Sequence, residues 1–185
     1  LQMQQGQTLS MASNVNIPGG LVLTSGIVQT GIFTLNVIGT LTGGSAGSYV
    51  SGKIQRTISG GAGTFAFPVG TAGAYSPVSL TFPASSAGGS LVVSGNDGDD
   101  AQIATSSFDP VTTVNRNWNI ALVSGFAGVN YNALFTWMNA DADAGFASSS
   151  SYAGRFTGNT WTYPEIVSRA VNSIQVSGLT GFGRI

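Results

Sequence analysis

Cysteine and histidine are both absent from this 185-residue chain, and glutamate occurs once, at Glu165. Without cysteine there is neither a disulfide framework nor a thiolate ligand. Without histidine as well, Ser-His-Asp and Cys-His catalysis and the ordinary zinc sites are excluded. Charge is scarce: Asp, Glu, Lys and Arg make up 7% of the residues, against about 25% in an average soluble domain. The cations Lys53, Arg56, Arg116, Arg155, Arg169 and Arg184 are scattered. A nucleic-acid groove needs a basic stripe, so no nucleic-acid partner is expected. No apolar run approaches the roughly 18 residues of a membrane-spanning helix, so no membrane insertion by that route is expected. The chain opens Leu1-Gln2-Met3, without a charged segment followed by an apolar one. The expectation is that any signal peptide lies outside these residues.

What is abundant is small and polar. Twenty-seven glycines and many Ser and Thr residues accompany a hydrophobic content of 42%. Glycine costs about 1 kcal/mol relative to alanine inside a helix, so the composition predicts short strands joined by tight turns and almost no helix. A surface with so little charge lacks the repulsion that keeps molecules apart, which favours faces that contact other subunits.

From Leu9 to Ile17 the odd positions read Leu9, Met11, Ser13, Val15, Ile17 and the even ones Ser10, Ala12, Asn14, Asn16, the period-2 pattern of a strand with one apolar face. Pro18-Gly19-Gly20 ends it, and short apolar pieces follow at 21–23, 27–28 and 32–38. This spacing resembles the rungs of a β-solenoid, although two or three irregular units do not establish a repeat. After the linker Thr42-Gly43-Gly44-Ser45-Ala46-Gly47, strands are predicted at 49–58, 64–69, 77–82, 90–94, 114–122, 131–138, 152–156, 160–162 and 173–176. Evenly spaced short strands with turns between them point to an all-β fold, an antiparallel β-sandwich of Ig-like or jelly-roll-like type over residues 45–185, preceded by an N-terminal β-extension over 1–44.

The ordered set Tyr49-Val50-Ser51-Gly52 with Arg56, Phe67-Pro68-Val69-Gly70, Tyr75-Ser76-Pro77-Val78, Arg116-Asn117-Trp118, Trp137 to Asp143, Arg155 with Trp161, and Gly178-Leu179-Thr180-Gly181-Phe182 resembles a module in large secreted surface proteins of Bacteroidetes-type bacteria. The resemblance spans about residues 20–185. It implies a β-sandwich used in extracellular, cell-surface architecture or adhesion, and it brings no catalytic residues. The chain departs from the pattern at its end, where Gly183-Arg184-Ile185 replaces further aromatic and acidic residues.

Three constellations remain. Asp97 and Asp99 alternate in Gly95-Asn96-Asp97-Gly98-Asp99-Asp100, and Asp141 and Asp143 alternate in Asn139-Ala140-Asp141-Ala142-Asp143. Alternate carboxylates in a glycine-bearing turn suit a structural calcium ion, while Asp, Asn and Gly are also ordinary turn residues. Tyr75, Trp118, Trp137, Tyr152, Trp161 and Tyr163 are a candidate sugar-stacking platform, but Trp118 and Trp137 lie among alternating strand residues, and the stronger expectation is that they fill the sandwich core. Arg116 or Arg155 over a ring is an expected cation–π contact. Finally, Leu9, Met11, Val15 and Ile17 form a candidate subunit-contact strand. Such a strand docks in a neighbour's groove by donor-strand exchange or pairs within its own sheet. No pair of carboxylates carries a glycosidase pattern, so an enzyme is not expected. The reading is a homopolymeric subunit of an extracellular filament, fimbria or surface layer, with no cofactor beyond a possible structural calcium. The alternatives are a monomeric adhesin domain that binds carbohydrate or host surfaces and, more remotely, a phage-fibre domain.

Overall fold

The computed structural model describes residues 6–185. The fold is all-β, with three single turns of 3-10 helix, each of three residues, among the described residues. No helix there is long and apolar enough to cross a membrane.

The chain begins as parallel rungs. β1 (Thr8–Ser10), β2 (Val15–Ile17) and β3 (Leu21–Leu23) form the first turn. β4 (Gly26–Val37) and β5 (Leu41–Gly43) form the second, and β6 (Ser48–Ile58) opens the third. Leu9 lies beside Val28, Asn16 beside Asn36 and Leu21 beside Leu41, a constant offset of 19 or 20 residues. β4 then pairs in parallel with β6. Hydrogen-bonded parallel turns of this kind are solenoid geometry, which the sequence suggested without establishing. The single strand expected over Leu9 to Ile17 is two three-residue strands, because the chain turns a corner between Met11 and Asn14.

One irregularity shows how local chemistry holds the stack. The β4–β6 register shifts between Gln29 and Thr34. The fully buried Thr30 fills the shift, its Oγ1 accepting a hydrogen bond from Lys53 N at 3.0 Å. A Cβ on Gly52 would lie 2.0 Å from that oxygen, and Gly52 has φ +125°, so only glycine fits.

Beyond β6 come β7 (Gly63–Phe67), β8 (Val69–Thr71), β9 (Ala74–Tyr75), β10 (Val78–Phe82), β11 (Gly89–Asp97) and β12 (Arg116–Gly125). They are followed by β13 (Tyr131–Thr136), β14 (Arg155–Thr157), β15 (Thr160–Thr162), β16 (Glu165–Ala170), β17 (Ser173–Leu179) and β18 (Gly183–Arg184). The main sheet has the order β1-β4-β6-β11-β12-β18-β14-β15, with β2 on β4, β8 on β6 and β9 on β8. A second, antiparallel sheet runs β16-β17-β13-β10-β7, and β3 pairs with β5 alone. The main sheet therefore mixes parallel rungs with antiparallel strands, where a wholly antiparallel arrangement was expected. The reason is the N-terminal chain, which coils in one sense and so stacks its strands in parallel.

Alternation drives the packing. In β10, Val78, Leu80 and Phe82 are buried while Ser79 and Thr81 face outward, and β13 buries Tyr131, Ala133 and Phe135 in the same way. These side chains meet Ile54, Val93, Trp118 and Ile120 of the main sheet in one apolar cluster that also takes in Leu23, Leu35 and Val37 of the rungs. The Trp118 and Phe135 rings are centred 5.0 Å apart. Hydrogen bonding is continuous across residues 44 and 45, since β4 joins β6.

Candidate functional site

The sequence-predicted contact strand is paired within its own sheet. Leu9 and Val15 are each 38% exposed, whereas Met11 and Ile17 pack against the core. The predicted apolar face is therefore split, with one residue exposed and one packed on either side of the corner between β1 and β2. Among the described residues, the edge of the rung is open: β1 and β2 each pair only with β4, and β3 only with β5. In a parallel strand alternate N–H and C=O groups point to opposite sides, so half of each strand's backbone groups face away from the stack. Val22 and Ile38 are exposed beside this edge, and the first charged residue of the chain is Lys53. Side-chain bonds also bind the rungs, among them Asn36 Nδ2 donating to Asn16 Oδ1 at 3.0 Å and Thr34 N donating to Asn14 Oδ1 at 2.9 Å.

The two Asp-rich turns, more than forty residues apart in sequence, meet around β12. Arg116 reaches Asp141 through Nη2 to Oδ1 at 2.6 Å and Nε to Oδ2 at 3.4 Å, and it also pairs with Asp97. Burial alone would lower the Arg116 pKa, and Asp141 first and Asp97 second outweigh it and raise it. Asp141 Oδ2 also accepts Met138 N at 2.9 Å, fixing the turn at Asn139–Asp141. Asp99 and Asp143 converge on Thr113, whose Oγ1 lies 2.6 Å from Asp99 Oδ1 and 3.3 Å from Asp143 Oδ2. One hydroxyl proton serves one of them at a time. Thr113 N and then Asn115 Nδ2 hold the Asp143 carboxyl below the usual range. At Asp100, burial pushes the pKa upward, but Arg184, bound through Nε and Nη2, and the Gln102 N–H pull it below the usual value. At Asp97 and Asp141 the neighbouring positive charge is a guanidinium, and no group of three or more acidic side chains among the described residues is close enough to hold a metal ion.

The aromatic residues do not form an exposed row. Trp118 and Trp137 are 5% exposed, Tyr75 packs on Tyr49 at 5.5 Å, and the Tyr163 hydroxyl accepts Ser107 N at 2.8 Å. The chain's three tryptophans instead line one cavity of about 410 Å³ beneath the 98–115 and 138–154 loops. Phe108 and Phe146 line it too, Phe108 edge-on to Trp161 and Phe146 edge-on to Trp137, each pair centred 6.0 Å apart. Sequence reasoning passed over both phenylalanines because they sit in loops without periodicity. The cation–π contacts also fall elsewhere than expected. Arg56 lies over Phe65 and Phe67, Arg169 over Tyr152, and Arg184 over Phe156. Arg116 is engaged by carboxylates and Arg155 by the Gly181 carbonyl.

No family model, curated protein or solved structure matches the chain.

Proposed function

We propose that this chain is an extracellular structural subunit that builds a filament or surface layer through β-strand contacts made at the open edge of its first rung. The observation that carries this reading is the edge itself, with three short strands that pair on one side only among the described residues and no charged residue before Lys53. Natural edge strands are normally protected by charge, proline or a cover, and solenoid ends are normally capped by a polar terminal repeat. A strand from a second copy laid along Thr8–Ser10, Val15–Ile17 and Leu21–Leu23 would satisfy those backbone groups and cover Val22. This is β-augmentation, with main-chain hydrogen bonds supplying affinity. It uses the predicted contact segment as the acceptor rather than the donor. Residues 45–185 then serve as a sandwich-like body of the kind the surface-protein resemblance implies.

The test places one lysine on the edge, as Thr8→Lys, Ser10→Lys or Val22→Lys. Electron microscopy and sedimentation across a concentration series are expected to show assemblies for the parent and dispersed subunits for the variants, with unchanged melting temperatures. Assembly by all three variants at the parent's concentration would remove the edge from the contact, and a parent that stays monomeric throughout would remove the subunit reading.

A further inference from the structure

We infer that the cavity beneath the 98–115 and 138–154 loops is a binding site for a neutral saccharide of one or a few sugar units. This rests on different residues from the assembly edge and does not depend on it. The volume, about 410 Å³, lies within the roughly 300–1,000 Å³ of small-molecule sites. Its deep wall is Trp118 and Trp137, nearly covered, and its more accessible rings are Phe108, Phe146 and Trp161. Aromatic faces of this kind take the C–H face of a sugar ring.

Charge decides the ligand class. The one cationic side chain lining the cavity, Arg116, is already held by Asp97 and Asp141, and Asp100 is paired with Arg184, while Asp99 and Asp109 contribute carboxylates that no guanidinium pairs. An anionic ligand therefore finds no free cation and meets repulsion. A neutral polyol finds acceptors and donors at the rim, where Asp109, Ser107 and Ser150 are exposed. Hydroxyl groups, which both donate and accept, suit such a rim. Trp137 adds a buried indole N–H with no hydrogen-bond partner, the kind of group that calls for an explanation in a folded protein. The loop bearing Phe108 is held in place by Trp161 Nε1, which donates to Gln102 O at 3.2 Å and Thr105 Oγ1 at 3.1 Å.

Because all three tryptophans line the cavity, their fluorescence reports on it directly. Full-length protein is titrated with neutral disaccharides (cellobiose, maltose, lactose) and run on an array of neutral glycans, alongside the variants Phe146→Ala and Asp109→Ala. The expected result is a saturable fluorescence change with at least one neutral glycan, weakened tenfold or more in either variant at an unchanged melting temperature. Asp109 is an exposed loop residue, so its variant remains informative if Phe146→Ala fails to fold. Silence with every glycan, binding that both variants retain, or a response to indole without any response to sugars would each overturn the assignment.

Discussion

The first 52 residues and the remaining 133 are built on opposite principles. The N-terminal rungs carry no formal charge and cohere through parallel backbone bonding and amide contacts such as Asn16 to Asn36. All thirteen charged side chains, six Lys or Arg and seven Asp or Glu, lie beyond them, and two ion pairs, Arg116–Asp141 and Arg184–Asp100, tie the later loops to the sheet. The contrast teaches where each region gets its specificity. The rungs depend on geometry that any similar strand can extend, whereas the loop end depends on particular charged partners that nothing else replaces.

The sharpest way to break the comparison is at Arg116. Its side chain is 3% exposed and that of Asp141 9%, whereas Asp97 is 65% exposed. Removing one partner from a buried pair leaves an uncompensated charge and costs about 3–5 kcal/mol, whereas an exposed pair is worth roughly 0–1 kcal/mol. Urea denaturation should therefore show Arg116→Met and Asp141→Asn destabilised by about 3 kcal/mol or more and Asp97→Asn by less than about 1 kcal/mol. Equal losses at Asp97 and Asp141 would contradict this account.

Acid should separate the two regions next. Asp100 and Asp143 have carboxyl groups held below the usual range when folded, so both bind protons more readily unfolded. The stability they add is complete above about pH 4, the ordinary carboxylate range, and is lost as pH falls through their depressed values. On lowering the pH, tryptophan fluorescence from the cavity is expected to change before the amides of β4 lose their hydrogen-exchange protection. Simultaneous loss would show that the two regions unfold as one unit.

The smallest expected effect is that of chelation. With Arg116 supplying positive charge between Asp97 and Asp141, EDTA is expected to leave the melting temperature unchanged. A drop that added calcium reverses would restore the ion suggested by the two Asp-rich turns.

Much of the fold was legible from alternation. The predicted strands at 77–82 and 131–138 correspond to β10 and β13, where every second residue is apolar and faces the core, and that at 49–58 to β6, where Val50, Ile54 and Ile58 face it with Gly52 and Arg56 between them. Between β14 and β15, Gly158 and Asn159 are both at positive φ, the backbone that a two-residue turn requires. β16 went unpredicted because it is mostly exposed and shows no alternation, with Ile166 alone half-buried. The rungs were only half legible, since three-residue strands leave too little pattern to fix a period. Their register shows instead in close approaches: a Cβ on Gly39 would lie 2.1 Å from Gly19 O, and one on Gly43 2.2 Å from Leu23 O. At the loop end, the pairing of Arg116 with both acidic turns joins residues from three separate stretches, which no local spacing encodes.

The position of β18 has a consequence in time. It lies between β12 and β14, bonded to both, and Ile185 exchanges backbone hydrogen bonds with Trp118 at 2.8 and 2.7 Å. The β14–β15 hairpin therefore has no route into the main sheet until residues 183–185 have been synthesised. During translation the rungs and the first antiparallel strands can order early, but the sheet stays split until those residues leave the ribosome. The loop end, with its cavity and Asp100–Arg184 pair, is therefore completed after the rungs.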